Sequence, residues 1–258
     1  MISKLAIIDP ASKIADNVTL GPYSIIGPDV EIGEGTWIGP HVVINGLVKI
    51  GRDNKIFQFA SFDEPQDKKY KGEPTRIEIG DRNVFRESCT VSRGTVQGEG
   101  LTKIGSDNLF MAYVHIAHDC IVGNHTVFSN NASLAGHVVV HDHVTLGGFV
   151  GVHQFCSIGE YSFCAGGSIV LKDVPPFMMV SGFPAQAFGL NSVGLKRHGF
   201  TDEMLNTIKR AYKMLYRQNL KLEEALEKIE KELVPECAQL SRLIEFVKLT
   251  ERGIIRSC

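Results

Sequence analysis

The stretch IVGNHTVFSNNASLAGHVVVHDHVTLGG, residues 121–148, carries an apolar residue at every sixth position: Val122, Phe128, Leu134, Val140 and Leu146. Neither the 3.6-residue period of a helix nor the alternation of a single strand produces that spacing. Followed outward, the period runs from Ile8, Ile14 and Leu20 to Phe62, resumes at Ile79, Phe85 and Val91, and runs again from Ile104 to Val170. All 25 positions in this register are apolar in a chain that is 43% hydrophobic, so chance does not account for it. Glycine often follows the apolar residue, as at Gly21, Gly33, Gly123 and Gly147. Four residues after the apolar position comes a second small or β-branched residue, such as Ser24, Val42, Thr126 or Val144. Two inward positions per hexad and three hexads to a coil describe an all-β solenoid, a parallel β-helix of hexapeptide repeats.

The totals agree with a self-sufficient fold. A chain of 258 residues can bury a large core, and its formal charge of -2 with a pI near 6.5 disfavours nucleic acid or an anionic membrane surface as partner. The start, MISKLAIIDP, lacks a signal-peptide apolar region, and no apolar run approaches the ~20 residues that span a bilayer. A cytoplasmic protein without stable membrane insertion is expected. Of the six cysteines, Cys89, Cys120, Cys156 and Cys164 fall on inward positions, and no C-x-x-C pair occurs, so they read as buried free thiols.

Two insertions, near 63–76 and 92–102, interrupt the phase. If each bulges out between hexads, IGRDN at 50, IGDRN at 79 and IGSDN at 104 fall on the same side of three successive coils. Asn54, Asn83 and Asn108 would then stack as an interior amide ladder. The period ends after Pro175-Pro176 and the stretch FMMVSGFPAQAFGL, which reads as a loop. Beyond it, 202–217 has the apolar stripe of an amphipathic helix in Leu205, Ile208, Ala211, Tyr212 and Leu215. KLEEALEKIEKEL and 237–250 make two more, giving a β-helix over 1–190 and a helical domain over 191–258.

Seven of the nine histidines lie between 115 and 153. Residues 18 apart stand about 4.8 Å apart on neighbouring coils. His118, His137 and His153 belong to hexads of one face and should converge, with His115 pointing outward beside them and Gly136 in register with His118, one coil away. His125 and His143, another 18-residue pair, read as surface imidazoles together with His141. Four histidines on one rigid face, beside Asp119 and Gln154, form a candidate site. Clustered imidazoles also raise zinc, which neighbouring subunits packed side by side could complete.

In order along the chain, QFASFDEPQDKKYKGEPTRIEIGDRN, RESCTVSRGTVQG, IAHDC, NNASLAGHV, VHQF and GLKRHGF resemble the UDP-N-acetylglucosamine acyltransferases, nearly end to end. The resemblance implies a left-handed β-helix and a homotrimer with its active sites between subunits. It also implies transfer of an R-3-hydroxyacyl chain from acyl carrier protein to the 3-hydroxyl of UDP-N-acetylglucosamine, the first step of lipid A biosynthesis. No cofactor is implied beyond the phosphopantetheine that carries the acyl donor. His118 matches the general base, Asp119 its supporter and Gly136 a backbone oxyanion donor. Gln66, Asp67 and Lys69 match residues that position substrate, as do His115, His137, His153, Gln154 and Asn191. Arg197 matches a pyrophosphate contact and Gly166 the position that limits acyl length. The family pattern has a second arginine where this chain has His198 and an acid where it has Val193, departures that bear on nucleotide affinity. Lys209, Arg210, Lys213 and Arg217 line one side of the first tail helix and suit an acidic carrier protein. Two alternatives stand beside this expectation: an N-acyltransferase of the same pathway, which usually carries an extra N-terminal domain, and a zinc hydratase of carbonic anhydrase type.

Overall fold

Short strands, most of two residues, wind around a common axis, each ending on the inward residue of its hexad. In the computed structural model, which describes residues 1–63, 65, 66 and 68–256, the first coil is Ile7–Ile8, Lys13–Ile14 and Thr19–Leu20. Ile25–Ile26 begins the second and lies parallel on the first, Ile7 opposite Ile25 and Ile8 opposite Ile26. Among the described residues this makes a first face of nine strands ending at Ile169–Val170 and a second of eight ending at Ser157–Ile158. The third face has ten. Through the hexads the expected 18-residue register holds wherever no insertion intervenes; at the end it shortens to 16, Phe163 meeting Met179 and Ile158 meeting Val174.

From Leu20 onward, the predicted inward positions are buried. Phe62, Phe85, Phe110 and Phe128 stack in the interior with centroids 5.0, 4.7 and 5.1 Å apart. At roughly 1.5–3 kcal/mol for each fully buried large apolar side chain, this column is a main source of stability. Burial pushes the thiols of Cys89, Cys120 and Cys164 up to about 12 and that of Cys156 to about 11, so none is a nucleophile near neutral pH.

The asparagine ladder forms, with a different division of labour from a chain of amides. Asn83 Nδ2 donates to Asn54 Oδ1 at 3.0 Å, but Asn108 meets Asn83 through its backbone N–H. Each Nδ2 also donates to a glycine carbonyl of the following coil: Gly80, Gly105 and Gly123.

Coil corners place non-glycine residues in the left-handed region, among them Asp119, His137 and Phe155 at φ 57°, 61° and 63°. This costs about 1–2 kcal/mol per residue and is borne best by Asp, Asn and His. Both insertions leave the coil at one such corner, between the first and second faces. The first follows Ser61–Phe62 and ends at Arg76–Ile79; the second follows Thr90–Val91 and ends at Leu101–Ile104. Residues 117–120 form the same corner one coil later. The insertions preserve register, with Arg76 opposite both Leu47 and Leu101, yet they do not simply bulge into solvent. Asp63, Thr75, Ser92, Arg93 and Thr95 at their bases are buried.

The stretch FMMVSGFPAQAFGL is a hairpin rather than a loop. Met178–Gly182 adds to Phe163–Cys164, and Ala185–Leu190 returns antiparallel to it. Met178 and Val180, then Ala185 and Ala187, face inward in two-residue alternation, a pattern broken in sequence by Gly182 and Pro184. Four helices follow: α1 (Ser192–Arg197), α2 (Asp202–Tyr216), α3 (Leu222–Glu232) and α4 (Leu240–Leu249). The predicted stripe of α2 is buried, and its Tyr212 hydroxyl donates to Ala187 O on the hairpin. The short α1 was not anticipated; Asn191 caps it by accepting from Gly194 N at 3.1 Å. No helix among the described residues is long and apolar enough to cross a membrane.

Candidate active site

His118 and Asp119 occupy the corner one coil beyond the second insertion. Because Asp119 takes the left-handed conformation, these adjacent side chains meet: His118 Nδ1 is 2.8 Å from Asp119 Oδ2. The carboxylate can only accept, so Nδ1 carries the proton and Nε2 presents a lone pair. Asp119 is buried and accepts from Thr95 Oγ1 at 2.7 Å and from Thr95 N at 3.0 and 3.1 Å. Burial alone would raise its carboxyl, but the Thr95 hydroxyl, His118 and the Thr95 amide outweigh it and hold the group below its ordinary value.

Gly136 stands against His118 as the 18-residue register requires. A Cβ there would lie 2.5 Å from His118 Cε1 and 2.6 Å from Nε2, so the imidazole occupies the space of the absent side chain. The next residue completes the rung, His137 N donating to His118 O at 3.0 Å. Among the described residues nothing accepts from the Gly136 N–H. The ring of His137 stacks on Phe155 and meets that of His118 edge to face, centroids 5.0 Å apart. Burial holds the His137 imidazole below its usual value; Asp119 partly offsets this and His118 adds to it.

On the strand before the corner, His115 Nδ1 is 2.7 Å from Thr90 Oγ1, and its Nε2 is 3.0 Å from Gln66 Nε2. With the amide nitrogen as donor, His115 Nε2 accepts and Nδ1 keeps the proton, a neutral ring in agreement with the lowering of its pKa by burial and then by His118. Gln66 Oε1 also accepts from His118 N at 3.3 Å, so the first insertion reaches over the site. These residues line a groove of about 610 Å³ along the first face, with His153 at one side and Leu134, Ile169 and Leu171 as apolar wall. His153 and Gln154 are exposed, and His153 Nδ1 donates to Gln154 O. Lys69 is exposed on the first insertion; Asp67 lies outside the described residues.

The remaining predicted residues are elsewhere. Asn191 is committed to α1 and to Tyr161 O at 2.9 Å. Arg197 lines a second depression, about 380 Å³, with Val193, Thr145 and Phe163 on the third face. That face lies opposite the corner bearing His118, so one subunit does not bring Arg197 to His118. Exposed Gly166 sits at the corner between the third and first faces, in neither depression. His143 departs from a plain surface imidazole: it stacks between His125 and Tyr161 and meets His198 edge to face.

His118, Asp119 and His137 offer three donor atoms within 4.8 Å of one another, a set that could gather round a metal ion. Bound through Nδ1 of His118, zinc would displace the proton that the ring shares with Asp119.

Comparison with known proteins follows the same outline. Residues 173–255 match the family model described as Udp N-acetylglucosamine O-acyltransferase; Domain 2, and residues 11–46 and 101–136 match Bacterial transferase hexapeptide (six repeats). The acyl-[acyl-carrier-protein]--UDP-N-acetylglucosamine O-acyltransferase of Thiobacillus denitrificans is 55% identical over 99% of each chain. Its namesake in Halorhodospira halophila is 55% identical over 97% of each. The solved LpxA of Acinetobacter baumannii superposes with a TM-score of 0.96 at 49% identity over 99% of each chain. The coil shares that path and is left-handed.

Proposed function

We propose, on the premise that this chain belongs to the UDP-N-acetylglucosamine O-acyltransferase family, that His118 is the general base of acyl transfer from acyl carrier protein to UDP-N-acetylglucosamine. The enzyme transfers that acyl group in the first step of lipid A biosynthesis. The observation that carries the mechanism is the pairing of His118, its Nδ1 held by Asp119, with the unengaged N–H of Gly136 beside it. Nε2 takes the proton of the sugar 3-hydroxyl as its oxygen attacks the thioester carbonyl of an R-3-hydroxyacyl donor. The Gly136 N–H receives the oxyanion of the tetrahedral centre. Collapse expels the phosphopantetheine thiolate, which takes the proton back from Nε2. Bonds and protons balance without a covalent enzyme intermediate or a cofactor.

Gln66, Lys69, His115, His137, His153 and Gln154 are then substrate contacts around the base. Asp67 joins them on the resemblance alone. Arg197, and on the resemblance alone Asn191, whose amide caps α1 and holds Tyr161 O, serve the nucleotide from a neighbouring subunit of a homotrimer whose third face would stand against the His118 corner; Arg197 offers a planar fork to phosphate oxygens. Gly166, which lies in neither depression of a single subunit, leaves the acyl groove long on the resemblance alone. The exposed Lys209, Lys213 and Arg217 of α2 present positive charge to an acidic carrier protein, while Arg210 is paired with Glu236. A cytoplasmic reaction belongs to the same reading, in keeping with an acyl donor carried on a protein.

Wild type and His118→Ala, incubated with UDP-N-acetylglucosamine and a panel of hydroxyacyl carrier proteins, test this by mass spectrometry of the product. A loss of roughly 10²–10⁴-fold in the variant is expected; full activity in it would sink the mechanism. The panel also reads the preferred chain length.

A further inference from the structure

The second insertion has a chemical task that the hexad pattern leaves open. We propose that Thr95 is a positioning residue for acyl transfer, its hydroxyl and amide fixing the Asp119 carboxylate and thereby setting the hydrogen bond that governs His118. The proposal rests on His118 being the base.

Four observations carry it. The insertion departs from the same corner as His118, one coil earlier, so its base is stacked against Asp119 by the period of the coil itself. Thr95 is 7% exposed and makes three contacts to the carboxylate, through both N–H and Oγ1. Oδ2 is shared: it accepts from Thr95 Oγ1 and from His118 Nδ1. The remaining surroundings close on the same group. Thr102 Oγ1 accepts from Asp119 N at 2.9 Å, and a Cβ on Gly98 would lie 2.4 Å from Asp119 Oδ1.

Thr95 is itself held. Gly98 N and Gly100 N both donate to Thr95 O at 3.1 Å, closing the insertion on itself. Two residues earlier, the buried Arg93 pairs with Asp63 and bonds the Tyr70 hydroxyl, both on the first insertion. The two insertions thus form one brace, with Gln66 at its tip over His115 and His118 and Thr95 at its root beneath Asp119.

Sharing of Oδ2 gives the chemistry. A carboxylate oxygen that already accepts the threonine hydroxyl is a weaker acceptor toward the imidazole. Among the influences that lower the Asp119 carboxyl, the Thr95 hydroxyl stands first after the opposing effect of burial. Without it, Oδ2 binds the His118 ring more strongly and favours the protonated imidazole, which is inactive as a base. Neutral base is then scarce at low pH and restored at high pH.

The test is kcat/KM against pH for wild type, Thr95→Val and Thr95→Ser. Valine keeps the shape and the amide but loses the hydroxyl; serine keeps both donors. The acid limb should move up by about half to one pH unit in Thr95→Val. A one-unit move lowers kcat/KM about tenfold well below the limb and leaves it unchanged at pH 8.5. Thr95→Ser should follow wild type. A structural defect lowers activity equally at every pH, and that result, an unmoved limb, or a serine variant that behaves like valine would overturn the proposal. A second measurement needs no substrate: the downfield Nδ1–H resonance of His118 in protein labelled with ¹⁵N-histidine and assigned by its loss in His118→Ala. It should move in Thr95→Val and return in Thr95→Ser; a resonance at one position in all three refutes the coupling. Absence of product from wild type would instead refute the acyltransferase mechanism, while the resonance still decides the role of Thr95.

Discussion

Gly136→Ala is the sharpest test of the site's geometry. The added methyl would lie 2.5 and 2.6 Å from Cε1 and Nε2 of His118, against ordinary contacts of about 3.5 Å or more, so the ring must retreat by about 1 Å. It cannot do so freely, because Nδ1 is held 2.8 Å from Asp119 Oδ2 and the carboxylate is pinned by Thr95. A 1 Å retreat lengthens that bond beyond useful range and draws Nε2 away from the substrate hydroxyl. Misplacement of a catalytic group by 1 Å costs roughly 10²-fold in rate, which is about 2.7 kcal/mol of transition-state stabilisation. The backbone at residue 136 is outside the left-handed region, so alanine adds no conformational strain of its own. Steady-state kinetics should therefore show kcat down about a hundredfold, with circular dichroism unchanged. Gly189→Ala, where a Cβ meets nothing within 4 Å, is the control and should match wild type. If Gly136→Ala keeps kcat within about threefold of wild type, the packing of donor against base is not what the mechanism uses.

Other perturbations follow from the same coordinates. Asn83→Leu strips Gly105 O of a donor and Asn108 N of an acceptor inside the coil, so urea unfolding should show a loss of about 2–6 kcal/mol at roughly 1–3 kcal/mol per buried orphan, with kcat per folded molecule retained. His115, His137 and His143 have folded pKa values lowered from 6.5, by burial first in each case, so the unfolded chain binds their protons more tightly. Stability is therefore full above about pH 6.5 and is lost as pH falls below it; a melting temperature that is flat from pH 7.5 to 5 contradicts this. Charge reversal at Lys213 and Arg217 should raise KM for the carrier protein and spare KM for the nucleotide. Added zinc should inhibit, and more so at pH 8 than at pH 6, because the ion competes with protons for the His118 imidazole and occupies the base; dependence of activity on zinc would instead favour the hydratase alternative.

The repeat was legible because a six-residue period is a statement about the coil's cross-section. One inward residue per short strand must be apolar, and the same residues, Ile26 to Val170, are the ones the structure buries. The same arithmetic reached chemistry where chemistry follows register. Gly136 stands one rung from His118 because 18 residues make a coil, and Asn54, Asn83 and Asn108 stack because they sit on every third hexad, once per coil. Away from the coil the arithmetic ends. Asn191 and Arg197 belong to the tail and the third face, and no period of the coil relates them to the His118 corner.

The insertions show why the remainder was hidden. A hexad count treats 92–102 as length to be skipped, since register resumes unchanged at Leu101 opposite Arg76. Yet conserved register fixes where the skipped residues leave and re-enter: at the corner that, one coil on, is His118–Asp119. A buried carboxylate there needs donors, and among the described residues of the coil His118 alone is within hydrogen-bond reach, His137 Nε2 standing 3.9 Å away. Thr95, a hydroxyl residue at the root of the loop one coil below, supplies two of them. Polar residues at the base of an insertion over a catalytic corner are thus readable in principle, once the corner is identified before the loop is set aside. The tip of the first insertion is different: where Gln66 reaches depends on loop conformation, which no repeat dictates.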